Sequence, residues 1–329
     1  MNKLKKTILF TTKSSFKPNF LFRNKHFNTL FRFIFNTPSV SFKRERMITS
    51  DNDFIDLDIA SVQSNKAIIT IHGLEGSSQS SYIQSLTKFA NKNKYDVIAM
   101  NLRGCSGEPN LQLASYHSGK TSDVLEVIHY IETKNKYSEI HIVGYSLGGN
   151  LTLKLVGEFG VDSPNMLKSA VGVSVPCDLK GSSQVLNNGF NKFYKYGILK
   201  SLLTKAKGKL EQFSNHEIDK KKLLNSKTFI DFDNNLTAPL NGFKNSDDYY
   251  KQSSCKQYIK DIRLPSLIIS ALDDSFLSES CYPYKEVSNN DFVRLITPKY
   301  GGHVGFYSGF TKKSNYWLEE QIISFISSV

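Results

Sequence analysis

The 329-residue chain reads as an α/β protein built on one mainly parallel sheet with helices on both faces. Three observations carry that expectation. Short apolar runs recur along the chain, with helical periodicity between them. One run, Ile140-His141-Ile142-Val143, leads directly into Gly144-Tyr145-Ser146-Leu147-Gly148 and then an apolar helical stretch. That strand-turn-helix setting lifts a serine on a tight elbow. The rhythm breaks once, over 178–262, where Lys, Asn, Ser, Phe and Tyr dominate.

The first segment, 1–47, is basic and aromatic. Eleven cations precede residue 50 against the single acid Glu45, so this stretch carries +10 of the formal +12. The remaining 279 residues carry about +2. The excess is read as a property of the N-terminal segment and not a basic face of the body, which argues against a nucleic-acid partner. Phe16, Phe20, Phe22, Phe27, Phe31, Phe33 and Phe35 are interleaved with the cations. Peripheral contact with an anionic membrane surface is one reading. The favoured one packs the phenylalanines on the body and leaves the lysines in water. The run Ile8-Leu9-Phe10 is too short for a signal sequence. No uncharged stretch reaches the roughly 18 residues that crossing a bilayer needs.

Phe42–Ile48 and Phe54–Ile59 are expected to pair antiparallel at the sheet edge. Ala67–Ile71 is the next strand and ends at His72-Gly73-Leu74-Glu75-Gly76-Ser77-Ser78. Gly73 permits close backbone approach there, and the Leu74 N–H is a candidate oxyanion donor. His72 precedes the serine and is read as a structural histidine bonding that loop. A helix over Tyr82–Lys92 and a strand over Val97–Met100 follow. After them comes Arg103-Gly104-Cys105-Ser106-Gly107, with Arg103 expected to brace the loop through backbone carbonyls. Cys105 lacks an elbow and is not read as a nucleophile. Ser122–Thr133 is helical, with Val124, Val127, Ile128 and Ile131 on one face.

At the elbow, a side chain on Gly144 or Gly148 would collide as the strand folds back into the helix. Leu147 N–H, at the helix N-terminus, is the first candidate oxyanion donor. Leu151–Val156 continues as helix, with Gly157 as a local interruption, and Ala170–Val175 is the next strand. The 178–262 stretch, with a helical patch at Tyr196–Leu210, lies between two strands of one sheet and so must leave and return. It is read as an inserted helical cap over the strand ends, where open sheets bind ligands. The core is thus divided into 48–177 and 263–329.

A serine nucleophile needs a base and a group that orients the base. Only His216 and His303 follow Ser146. His303, in Tyr300-Gly301-Gly302-His303-Val304-Gly305-Phe306 just past the strand Val293–Ile296, is the expected base. Past the strand Leu267–Ser270, Ala271-Leu272-Asp273-Asp274 offers two acids that spacing alone leaves open. The small-x-x-Asp form of such turns favours Asp274. Cysteines 105, 177, 255 and 281 form no CxxC pair or disulfide framework, so reduced thiols and a cytoplasmic setting are expected. No metal cluster, phosphate-binding loop or dinucleotide fingerprint is present, and no cofactor is expected.

Taken together, these residues resemble the α/β-hydrolase superfamily, and within it the YheT-like hydrolases. The resemblance rests on the His72–Ser78 loop, Asn101-Leu102-Arg103-Gly104-Cys105, Gly144–Asn150, Ala271–Phe276 and Gly301-Gly302-His303-Val304-Gly305-Phe306. Phe16-Lys17-Pro18 and Asn24-Lys25-His26-Phe27-Asn28-Thr29 are similar to the group's N-terminal proline and Asn-Gly-His-Leu-Gln-Thr segments. The resemblance therefore covers nearly the whole chain and counts against membrane targeting by residues 16–35. One departure is Ser275, where the family has proline in Asp-Asp-Pro-Phe. The family implies hydrolysis of carboxylic esters, including lipid esters in some eukaryotic relatives. A Ser146–His303–Asp274 serine esterase acting on a small-molecule or lipid ester is the expectation. A thioesterase or phospholipase on the same triad, or a non-catalytic binding module of this fold, are its rivals.

Overall fold

A computed structural model of the chain describes residues 16–34, 39–213, 216–311 and 316–329. Lys3, Lys5, Lys6, Lys13, the Ile8-Leu9-Phe10 run and Phe35 lie outside these residues. Eight strands form one sheet: β1 (Lys43–Ile48), β2 (Phe54–Ala60), β3 (Lys66–Ile71), β4 (Asp96–Asn101), β5 (Glu139–Tyr145), β6 (Leu167–Val173), β7 (Ser266–Ile269) and β8 (Val293–Ile296). Their spatial order is β1-β2-β4-β3-β5-β6-β7-β8. β2 runs antiparallel to both neighbours, and every other pair is parallel. The antiparallel pair stands at the edge, as its sequence implied.

The helices are α1 (Lys25–Ile34), α2 (Ser81–Lys92), α3 (Thr121–Thr133), α4 (Leu147–Phe159), α5 (Leu179–Val185), α6 (Asn191–Gln212), α7 (Lys220–Leu224), α8 (Phe229–Phe232), α9 (Ala238–Leu240), α10 (Ser246–Ser253), α11 (Tyr284–Ser288) and α12 (Trp317–Ile326). A π-helical turn, Asp233–Thr237, joins α8 to α9.

The central strands are buried on both faces, which is why they read as unbroken apolar runs. Ile69, Ile71 and Ile142 pack with α3 and α4 through Val127, Ile128 and Leu151. Ile68, Val143 and Val171 pack on the other face with α2 and α12 through Leu86, Leu318 and Ile322. Gly157 does not interrupt α4; the helix runs on to Phe159. A Cβ at Gly157 would stand 2.5 Å from the Tyr258 carbonyl oxygen, so glycine permits close packing there. The helix stops instead at Gly160, at φ +54°.

The helices between β6 and β7 have a small core of their own, including Leu186, Leu199, Leu210, Leu223, Phe229 and Phe232. Leu74 and Phe276, from loops at the carboxyl ends of β3 and β7, pack against it.

At the other end of the chain, α1 docks on the body. Phe22 and Phe31 cluster with Tyr307, and Phe16 packs on Phe306 and Trp317. Phe20 and Phe33 stay exposed. Arg32, which sequence charge would leave in water, is fully buried and pairs with buried Glu319 of α12. Burial opposes its charge, but Glu319, Tyr307 and Tyr145 together outweigh burial and raise the guanidinium pKa further.

Candidate active site

Ser146 stands between β5 and α4 with φ +52° and ψ −117°, a backbone conformation that L-residues rarely adopt. The flanking glycines permit it. A Cβ at Gly144 would lie 2.1 Å from the Gly148 carbonyl oxygen, and one at Gly148 would lie 2.3 Å from that of Ile71. Ser146 N–H donates to the Val173 carbonyl at 2.8 Å, pinning the turn to β6. Asn150, one turn along α4, donates to the Ser118 and Ser253 carbonyls and accepts from Cys255 N–H, each at 2.8 Å.

The loop after β8 brings His303 to this serine. His303 Nε2 is 3.0 Å from Ser146 Oγ. Its Nδ1 is 2.9 Å and 3.1 Å from the two oxygens of Asp274. Asp274 and His303 are both buried, and Phe276 N–H donates to Asp274 Oδ1 at 2.9 Å. Of the two adjacent acids, Asp274 is the one that reaches the imidazole. Asp273 turns away and accepts Gly302 N–H at 2.9 Å, joining the acid turn to the histidine loop. Burial pushes the Asp273 carboxyl up to about 6. His216 lies in the connection between α6 and α7, where its Nδ1 accepts from Ile218 N–H.

Several supporting residues were invisible to sequence reasoning. Thr29 Oγ1 accepts His303 N–H at 2.9 Å. Ser174 Oγ accepts Val304 N–H at 3.0 Å. Asn28 donates to the Phe22 and Tyr307 carbonyls and accepts from Tyr307 N–H. Arg32 donates to the Gly305 carbonyl at 2.9 Å. The histidine loop therefore rests on α1. A Cβ at Gly302 would stand 2.4 Å from the Lys25 carbonyl oxygen, and Gly302 has φ +60°. Phe276 stacks on the imidazole with centroids 4.1 Å apart and 10° between planes. The sequence signals for α1 are the interleaved phenylalanines and the similarity of Asn24–Thr29 to a family segment, and neither names a role for Asn28, Thr29 or Arg32.

The loop after β3 flanks the serine: a Cβ at Gly73 would lie 3.1 Å from Ser146 Cβ. Leu74 and Leu147 line the same cavity as Ser146, and their N–H groups make no hydrogen bond to the described residues. His72 is structural. Its Nδ1–H donates to the Gly73 carbonyl, its Nε2 accepts Leu102 N–H, and burial holds the imidazole down at about 4. Arg103 braces its loop through carboxylates and not through backbone carbonyls. It is bidentate to Asp123 at 2.8 Å and also bonds Asp51 and Asp53. Cys105 is buried, which pushes its thiol up to about 11.

Ser146 and His303 open onto a cavity of about 610 Å³. Its walls are mainly apolar and aromatic, with Leu74, Leu179, Leu186, Leu202, Phe229 and Phe232 among them. Asp233 also lines it, accepting from Thr237 Oγ1 and Tyr250 OH at 2.6 Å. Burial pushes this carboxyl up to about 6. Among the described residues, no group of three His, Cys, Asp or Glu side chains could hold a metal ion, and no helix is long and apolar enough to cross a membrane.

Residues 66–310 match the family model of the alpha/beta hydrolase fold. The chain is 33% identical over 326 residues to the Escherichia coli (strain K12) protein YheT, covering 97% of this chain and 95% of that one. It is 27% identical over 311 residues to the phospholipase ABHD3 of Bos taurus, covering 92% and 75%. Among solved structures, the Pyrococcus furiosus esterase Pf2001 superposes with a TM-score of 0.58 at 16% identity, covering 89% of this chain and 98% of that one.

Proposed function

The chain belongs to the α/β-hydrolase fold family as a YheT-like member of esterase and lipase type, and from that premise we propose a serine esterase that cleaves carboxylic esters through an acyl-enzyme. The observation that carries this reading is the continuous hydrogen-bonded path from Asp274 through His303 to Ser146, ending in an apolar cavity. Ser146 Oγ attacks the acyl carbonyl carbon and its proton passes to His303 Nε2. Asp274 accepts Nδ1–H, fixes the tautomer and stabilises the imidazolium. Leu147 and Leu74 N–H groups hold the oxyanion. Collapse of the tetrahedral intermediate breaks the ester C–O bond, and the alcohol leaves with the Nε2 proton. Water then attacks the acyl-enzyme, gives its proton to the same nitrogen, and the acid departs as Ser146 is restored. No cofactor takes part.

In this reading, residues 178–262 are a helical cap that shapes the acyl site over the core segments 48–177 and 263–329, while α1, within the 1–47 segment, buttresses the histidine loop. An apolar cavity of this size fits the acyl portion of a lipid-like ester. A phospholipid is the second reading, favoured by the relative named as a phospholipase. Four free, buried cysteines support a cytoplasmic setting.

The test pairs fluorophosphonate labelling with hydrolysis of p-nitrophenyl butyrate. Ser146→Ala is expected to abolish labelling and to lower kcat by about 10⁴-fold or more. Full activity in that variant would falsify the mechanism. Absence of labelling in the intact protein would favour the binding module. Relative kcat/KM across esters, thioesters and phospholipids then ranks the substrates.

A further inference from the structure

From Lys180 to Leu210 the chain holds seven lysines and no acid. Charge averaged over the body conceals this excess, and the fold concentrates it on α6. Lys205 pairs with Glu75, Lys180 pairs with Asp247, and Lys209 is buried against the Asn110 and Gln112 carbonyls. Lys192, Lys200 and Lys207 are exposed and have no acidic partner among the described residues.

Helical spacing sets Lys192, Tyr196 and Lys200 in one row, with Phe193 in the next. Phe193 is 65% exposed and Tyr196 67%. Phe190, just before the helix, and Phe33, at the end of α1, are each 49% exposed. Phe33, Phe193 and Tyr196 also line the cavity that holds Ser146. Exposed aromatic rings flanked by unpaired lysines, at the rim of an apolar cavity, match the chemistry of an anionic bilayer surface. On such a surface the rings would enter the headgroup region, the lysines would meet lipid phosphates, and the cavity would open toward the acyl chains.

We propose that the first turns of α6, with Phe33 beside them, dock on an anionic lipid surface and set the cavity mouth against it. The contact is thus carried by α6, with Phe33 contributed by the 1–47 segment, whose favoured sequence reading is packing on the body. Docking does not require catalysis, so it is testable apart from the esterase reading.

The experiment is co-sedimentation of the full chain, carrying Ser146→Ala, with phosphatidylcholine vesicles with or without about 30% phosphatidylglycerol at low salt. Binding is expected only to the anionic vesicles. Adding Lys192→Glu and Lys200→Glu should weaken it by about tenfold or more, since each lysine near an anionic surface contributes measurably. On the unmutated serine, the same two substitutions should leave p-nitrophenyl butyrate hydrolysis unchanged, which shows that the variant folds. The proposal is overturned if the chain stays in the supernatant with anionic vesicles. It is equally overturned if the double lysine variant binds as the parent does, because the basic N-terminal segment then carries the contact.

Discussion

Asp273 and Asp274 are neighbours whose surroundings give them different work. Asp274 directs its carboxylate at His303 Nδ1, whereas Asp273 accepts Gly302 N–H and has its second oxygen buried with no hydrogen-bond partner among the described residues. Asp274→Asn should lower kcat by about 10³- to 10⁴-fold, because the amide disfavours the tautomer that puts the Nε2 lone pair toward serine. Asp273→Asn keeps an acceptor for Gly302 and should stay within about tenfold of the parent. Steady-state kinetics on one soluble ester checks both. Spacing could propose both acids, and only a turn preference separated them. What decides the geometry is the path of the 300–306 loop, whose positive φ at Gly301, Gly302, Val304 and Phe306 has no local signature beyond its glycines.

At the scale of elements, α1 is where sequence and structure part most. The parallel strands were legible because burial on both faces demands continuous apolar residues. Arg32 was not legible, since an arginine among lysines and phenylalanines reads as a surface cation. Only the meeting with Glu319, 287 positions later, makes it a core residue. In the same way α6 reads as a helical patch, but the exposed Lys192, Lys200 and Lys207 vanish in a charge averaged over the body. Thr29 is a positioning residue that acts through the His303 backbone. Thr29→Val should lower kcat by about tenfold with KM little changed, and Thr29→Ser should restore it. A lost fold would instead depress the melting temperature of both variants, so thermal unfolding distinguishes the two outcomes.

For the whole molecule, stability carries a pH signature from Asp233 and Asp273. Both carboxyls are raised to about 6 by burial. A raised folded-state pKa means that the stabilising contribution is complete below the unfolded value near 4. It is lost as pH rises through about 6. Asp233→Asn removes the buried charge while retaining an acceptor for Thr237 or Tyr250. It should therefore be more stable than the parent at pH 8, by up to about 3 kcal/mol, with the gain shrinking toward pH 5. Melting temperatures at the two pH values read this directly. A gain that stayed constant with pH would contradict the assignment.

The docking of α1 under the histidine loop also orders events during synthesis. This helix leaves the ribosome early, yet its partners Gly305, Tyr307 and Glu319 lie near the far end of the chain. Because a domain folds as a unit, α1 stays without these partners until they have been made. Arg32 has no carboxylate to meet until α12 is translated. Ser146 is thus made 157 residues before His303, and the histidine loop gains its α1 support only once Gly305 and Tyr307 have followed.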